Sequence, residues 1–386
     1  MIQANDYRGR EQTYVKHVFL NHYLERVAWV TLANNRGWQE FVYIDGFAGP
    51  WRVSSEDSRD TSVSIALRKL TEVKRGLSAS GRTVRMRAIF VEQRPSAFKR
   101  LSELLDDFPE VEAVALEGDF HKLSSECARR VGAAFSLVLI DPTTFALDIA
   151  ALKPVMTLRG EVIINFMYSF LLRNINVLDS QDHLSKTFAT DDWRAEIEAA
   201  EKRLGSREEG ILATFCSAVQ RVSGKRFVTS TRVKAPLADR THFHLVYGTD
   251  HWRGLEEFRN VEAKTIPEHE HVRSGAKATA RQARTGAADM FPETFADAPL
   301  AELEGRREEM RLRAEAALFN LFRTKEAVHG GDILGALLQL PLITKKDVNR
   351  VLTTNQERGK IVIHLAPGER VIKGTTVVSR CLDAER

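Results

Sequence analysis

Phe41-Val42-Tyr43-Ile44-Asp45-Gly46-Phe47-Ala48-Gly49-Pro50 is an apolar, aromatic and β-branched run that ends in an acid and passes straight into a glycine-bearing turn. Such a run suits a central strand of a parallel sheet, buried on both faces. Gly46 and Gly49 carry no Cβ, so the backbone after the strand can approach a ligand closely. In an open α/β sheet that ligand is expected at the carboxyl end of the strand. An ordinary strand and turn would look the same on this segment alone, because short glycine motifs recur by chance. The segments downstream decide between them.

Residues 85–91 form a second apolar run that ends at Glu92, and residues 111–116 a third, followed by Glu117-Gly118-Asp119. Residues 135–140 make a fourth, ending in Asp141-Pro142. Helical apolar spacing follows these runs, as in Phe98, Leu101, Leu104 and Leu105, then Leu123, Cys127 and Val131. Strand then helix, repeated, predicts a parallel sheet with right-handed crossovers. Its strand ends would carry Asp45, Glu92, Asp119 and Asp141 along one edge. A carboxylate buried there without a polar partner is costly, which points to a ligand. With a fifth strand at 161–167 and a closing pair at 227–233 and 242–247, the count reaches the seven strands of a Rossmann-like class I methyltransferase sheet.

S-adenosylmethionine fits these residue types. It has no pyrophosphate and needs no third glycine; G-x-G-x-x-G is absent, which argues against a dinucleotide. Glu92 suits the ribose diol, as an acid after the second strand does for NAD. Asp119 with Phe120 suits the adenine, and the loop Asp45, Gly46, Phe47, Ala48, Gly49, Pro50 the methionine portion. The substrate is expected over Asp141, Pro142, Thr143 and Phe145, where Asp141 would accept an exocyclic amine and Phe145 would stack on a flipped base. On turn propensity alone the same Asp-Pro only ends a strand.

At this point the chain resembles the three-Cys-motif partner proteins, bacterial methyltransferase-like proteins. The matching pieces are Lys16-His17 with Tyr23-Leu24, Tyr43 to Pro50, Phe90-Val91-Glu92, Gly118-Asp119-Phe120, Ile140-Asp141-Pro142, Ile163 to Tyr168 with Arg173, and His244 to Gly248 followed by Gly254-Leu255. They run in order over the first two thirds of the chain. The family's glycine after Gly-Pro is Trp51 here, and its small-residue turn after Asp-Pro is Thr143-Thr144-Phe145. The resemblance implies a separate partner, a three-cysteine protein resembling a radical S-adenosylmethionine or iron–sulfur enzyme.

The chain itself lacks that motif: Cys127, Cys216 and Cys381 stand far apart, without C-x-x-C spacing, so neither a disulfide scaffold nor a bound metal is expected. With 386 residues, 43% of them hydrophobic, it can build one large core and a smaller domain. No apolar signal region or membrane-length run is present, so a cytoplasmic protein is expected.

The net charge of +4 is mild, and its distribution is more telling. Residues 272–288 contain no acid and carry Arg273, Lys277, Arg281 and Arg284; residues 271–299 are read as a flexible basic linker able to touch phosphate. The methyltransferase-like domain is therefore bounded at 1–270, with 191–223 a helical insertion or lid. Residues 300–386 are read as a winged-helix-like α+β domain: helical patterns at 300–323, 331–338 and 345–358, then a hairpin at 361–365 and 371–378. Its last helix would present Lys345, Lys346, Asn349, Arg350 and Thr353 to nucleic acid.

Two function classes stay open. One is a methyltransferase acting on nucleic acid alongside the three-cysteine partner. The other is a cofactor-binding subunit without methyl transfer, which recruits nucleic acid or regulates that partner.

Overall fold

The structure, a computed structural model, describes residues 10–33, 37–49, 61–142, 147–177, 181–285 and 292–381, with Ile2 and Tyr7. It divides into two compact units, Met1–Asp250 and His251–Arg386.

The first unit is built on a seven-stranded sheet: β1 (Glu40–Asp45), β2 (Arg85–Glu92), β3 (Glu112–Glu117), β4 (Phe135–Ile140), β5 (Gly160–Phe166), β6 (Phe227–Lys234) and β7 (Thr241–Thr249), in the order 3-2-1-4-5-7-6. The first five strands pair in parallel, while β7 runs antiparallel to both β5 and β6. Helices α1 (Glu11–Leu32), α2 (Ser62–Ala79), α3 (Pro95–Leu105), α4 (Phe120–Val131) and α5 (Lys153–Met156) precede or link the parallel strands. After β5 come α6 (Tyr168–Asn174), α7 (Gln181–Phe188), α8 (Trp193–Leu204) and α9 (Arg207–Ser223).

Alternation along each strand assigns the two faces. Val42, Ile44, Val138, Ile140, Val162 and Ile164 share one core with Phe120, Cys127, Trp193 and Phe215. Tyr43 and Tyr247 point to the other side, where the Tyr23 hydroxyl of α1 lies 2.8 Å from that of Tyr247 and donates to Glu161 Oε2 at 2.6 Å. Burial pushes the Glu161 carboxyl above its usual range, and the hydrogen bonds from Tyr23 and Tyr247 only partly offset it.

Residues 191–223, expected as a helical insertion or lid, are helical. They form α8 and α9, and the Phe215 ring stacks on Phe166 of β5 at 4.1 Å. Trp193, Ile197, Ile211, Phe215 and Val219 supply an apolar stripe that the sheet buries.

The second unit contains α10 (Trp252–Thr285), α11 (Pro292–Leu321), β8 (Ala327–His329), α12 (Gly330–Leu337), α13 (Lys345–Glu357), β9 (Ile361–His364) and β10 (Val377–Arg380). The three strands form a sheet ordered 8-10-9, with β10 antiparallel to its neighbours. The second hairpin strand therefore starts later than residue 371, and β8 adds a third. Thr344 caps α13 in a capping box with Asp347, which also accepts from Arg311 Nε at 2.8 Å.

The expected boundary at residue 270 falls inside α10, and the stretch read as a basic linker is helical through Thr285. Ala276, Ala278, Ala280 and Ala283 between basic side chains are strong helix formers, and small residues alone did not distinguish a helix from a linker. Upstream, α10 is tied down by buried charge. Arg259 pairs with Glu262 at 2.8 Å and donates to the carbonyls of Leu338 and Gln339, past the end of α12.

Candidate functional site

The carboxyl ends of the parallel strands bring the predicted acids to one edge. Strand order sets them side by side as Asp119, Glu92, Asp45 and Asp141, at the carboxyl ends of β3, β2, β1 and β4 respectively.

Asp45 is 1% exposed. It accepts from Phe47 N at 3.1 Å and from the Ser62 hydroxyl at 3.0 Å, which closes the turn after β1. Burial, with a smaller contribution from Asp141, pushes its carboxyl up to about 7 against the two hydrogen bonds and Lys16, which pull it down. The turn is stitched across the edge by Gly46 N to Leu139 O and Ala48 N to Val91 O.

Gly46 and Phe120 act differently from expectation. A Cβ on Gly46 would lie 2.2 Å from the Phe120 ring, so the bare face of this glycine admits a core side chain. Phe120 is 2% exposed and meets Phe47 edge-on at 5.7 Å, which leaves it no open face for an adenine. The first residue of α4 points back under the loop because helical side chains lean toward the helix N-terminus. Gly49 is among the described residues; Pro50 and Trp51 lie outside them, as do Thr143, Thr144 and Phe145.

Glu92 is buried, and its Oε1 accepts from Arg94 N at 2.8 Å and Arg94 Nε at 3.3 Å. Asp119 caps α4 and accepts from His121 N and Nδ1 at 2.8 and 3.0 Å. Partial burial raises its carboxyl, but the His121 hydrogen bonds outweigh that and hold it below its usual range.

Asp141 stands beside a recess lined by Lys16, His17, Ser62, Asn165 and apolar walls that include Phe19, Leu139 and Leu245. Its Oδ2 accepts from Lys16 Nζ and its Oδ1 from Asn165 Nδ2, both at 2.6 Å. Each oxygen keeps one further lone-pair site. Asn165 is 2% exposed, and its own Oδ1 has no protein partner among the described residues. His17 hydrogen-bonds Tyr7 at 2.9 Å and is held neutral: burial, then Lys16, lowers it to about 3 against a pull upward from Asp141. Pro142 is buried and directs the chain out of β4.

Lys16, Ser62 and Asn165 received no role from the sequence. Asn165 gave the one usable signal, an amide inside the otherwise apolar strand Val162 to Phe166, where it needs a polar partner.

In the second unit, Arg273 is not a phosphate contact: it is 1% exposed and paired with Glu270. Lys277 is half-buried on α10, and Arg281 and Arg284 are exposed. On α13, Lys345 is drawn to Glu256 at 3.4 Å and over the Trp252 ring, and Asn349 Oδ1 accepts from Ile372 N at 3.4 Å. Lys346, Arg350 and Thr353 are exposed on the same helix. Among the described residues no helix is long and apolar enough to cross a membrane, and no cluster of His, Cys, Asp or Glu is arranged to hold a metal.

No protein-family profile matches this chain, and no curated protein matches it in sequence. Among solved structures it is similar to a loganic acid methyltransferase with SAH, at 12% identity and TM-score 0.31, over 100% of this chain and 98% of that one. It is also similar to a protein described as a candidate methyltransferase from Thermobifida fusca YX, at 12% identity and TM-score 0.23; that alignment covers 40% of this chain and only 53% of the other. Likeness at this level carries no weight by itself. The strand order and the antiparallel seventh strand define a mixed α/β fold with a large, mostly parallel sheet of the Rossmann-like methyltransferase type.

Proposed function

We propose that the protein is an S-adenosylmethionine-dependent methyltransferase acting on nucleic acid. The row of acids along the sheet edge supports this most. Neighbouring strands lie about 4.8 Å apart, so the four positions from β3 to β4 span roughly 14 Å, the reach of an extended nucleoside joined to an amino acid. Taken in order, Asp119 serves the adenine, Glu92 the ribose diol, and Asp45 the aminoacyl end. Asp141 then stands at the transfer end of the row. The residues fit a cationic ligand: the Asp45 carboxyl and the unpartnered Asn165 Oδ1 would meet its ammonium and sulfonium end, and Glu92, with its Oε1 held by Arg94, would offer Oε2 to the ribose.

S-adenosylmethionine supplies an electrophilic methyl group on a sulfonium. The protein's part is to hold the acceptor. Asp141, kept in position by Lys16 and Asn165, accepts a hydrogen bond from the attacking amine on a remaining lone pair and lowers the barrier mainly by orientation.

Residues after α11 are read as a winged helix, with α13 as the recognition helix that presents Lys346 and Arg350 to phosphate and β9–β10 as the wing. The three-cysteine protein is the expected partner; co-purification with it tests that part. The non-catalytic reading draws on one observation, that both Asp141 oxygens already have protein donors.

Calorimetry with S-adenosylmethionine tests the core of the proposal. Glu92→Ala should weaken binding at least about tenfold, because a charge-assisted hydrogen bond contributes roughly 1.5–3 kcal/mol. Asp141→Ala should abolish radiolabel transfer to a nucleic acid pool while leaving cofactor affinity within about threefold, under ~0.7 kcal/mol. No transfer by the wild type with its partner present would favour the non-catalytic subunit.

A further inference from the structure

Beyond the recess, the carboxyl edge continues into a rim that no part of the mechanism uses. It is built by α6, which follows β5, and by the turn between β6 and β7. Because β7 runs antiparallel to β5, with Phe166 opposite His244, that turn lies at the same edge as Asp141. Ser169 of α6 meets His242 of β7 at 3.4 Å, which fixes the two segments together.

Two properties of the rim stand out. Phe170 is 37% exposed, and the Arg173 guanidinium lies over its ring at 4.3 Å; Leu172 and Leu237 are also exposed, at 41% and 61%. The rim is also basic. Lys16, Arg240 and Arg173 all act on His242, whose affinity for a proton is lowered by burial first and then by these three cations. Arg173 and Arg240 are exposed, and Lys16 joins the rim to the recess through Asp141. Asp239 is the acid within the turn.

An exposed aromatic ring with a guanidinium on its face is a stacking platform for a base, which any base can use because every base has a π-face. Cations around it attract a phosphate backbone through counterion release. We propose that the α6 and β6–β7 rim is a docking surface for single-stranded nucleic acid, with Phe170 and Arg173 stacking an unpaired base and Arg240 contacting phosphate. The inference rests on the nucleic-acid reading above and deepens it: the strand is gripped on the methyltransferase-like unit itself, beside the recess. Charge complementarity and the stacked Phe170–Arg173 pair favour a nucleic acid over an apolar peptide.

Fluorescence anisotropy of the full chain with a labelled oligothymidylate, and with a duplex of equal length, tests it. With Lys346→Glu and Arg350→Glu in place to remove the other basic face, the chain should bind the single strand more tightly than the duplex. In that background Phe170→Ala should weaken single-strand binding about tenfold, and Phe170→Trp should restore it. Arg173→Glu with Arg240→Glu should weaken it further and reduce the dependence of log K on log salt by roughly 0.7 for each phosphate no longer neutralised. Unchanged affinity in these variants, or no oligonucleotide binding at all, overturns the proposal. The assay needs no methyl donor, so failure to bind S-adenosylmethionine in calorimetry would remove the methyltransferase reading and leave this result standing.

Discussion

Asp45 carries a folded-state cost that depends on pH. Its carboxyl is raised from 3.8 to about 7, with burial the largest cause. Between those values the folded chain holds a proton that the unfolded chain has released, so stability falls as pH rises through the window, at about 1.4 kcal/mol per unit for one proton, and is level above it. Asp45→Asn removes that slope. The variant should gain on the wild type from about pH 4 to about pH 7 and keep the gain above, read as urea midpoints across the range; parallel curves would mean that Asp45 ionises normally. Tyr23→Phe acts on a different buried acid. It withdraws the donor at 2.6 Å from Glu161 and should cost about 1–3 kcal/mol at neutral pH, measured by denaturant unfolding.

At the scale of elements, Gly160 governs how β5 enters the sheet. Its φ is +131°, and a Cβ there would fall 1.9 Å from Ser136 O, against the strand that β5 pairs with. Gly160→Ala should therefore prevent the native β4–β5 ladder from forming, seen as loss of soluble, cooperatively unfolding protein; an intact melt would contradict the close approach. The first four strands were legible because each is an apolar run ended by an acid, and the period of a buried parallel strand leaves little else for Phe135 to Ile140 to be. Phe120 was not legible, since residue type gives no direction for a ring at the start of a helix, and only the packed structure turns it under Gly46. The lone amide of Asn165 was readable as polar but not as the holder of Asp141, because that contact joins residues from neighbouring strands in a register that the sequence does not state. α10 failed for a third reason: an acid-free run rich in alanine and basic residues has the composition of both a tether and a helix, and buried partners such as Glu262 for Arg259 decide upstream of it.

For the whole molecule, each compact unit carries a basic surface of its own. Lys346→Glu with Arg350→Glu in the full chain should lower duplex affinity and flatten its salt dependence, because both side chains reach solvent on α13. Equal binding at low salt would make α13 a protein-docking face. Strand order has its own effect on how the chain is made. β1 pairs with β2 on one side and with β4 on the other, and the whole segment from Asp45 to Phe135 is synthesised before that second pairing can exist. A nascent polypeptide emerging from the ribosome thus exposes one unpaired ladder of Phe41 to Asp45 until β4 clears the exit tunnel, the kind of bare edge that chaperones cover. Ribosome-stalled chains should accordingly stay open to protease until Ile140 has emerged, read as limited proteolysis at successive stall lengths.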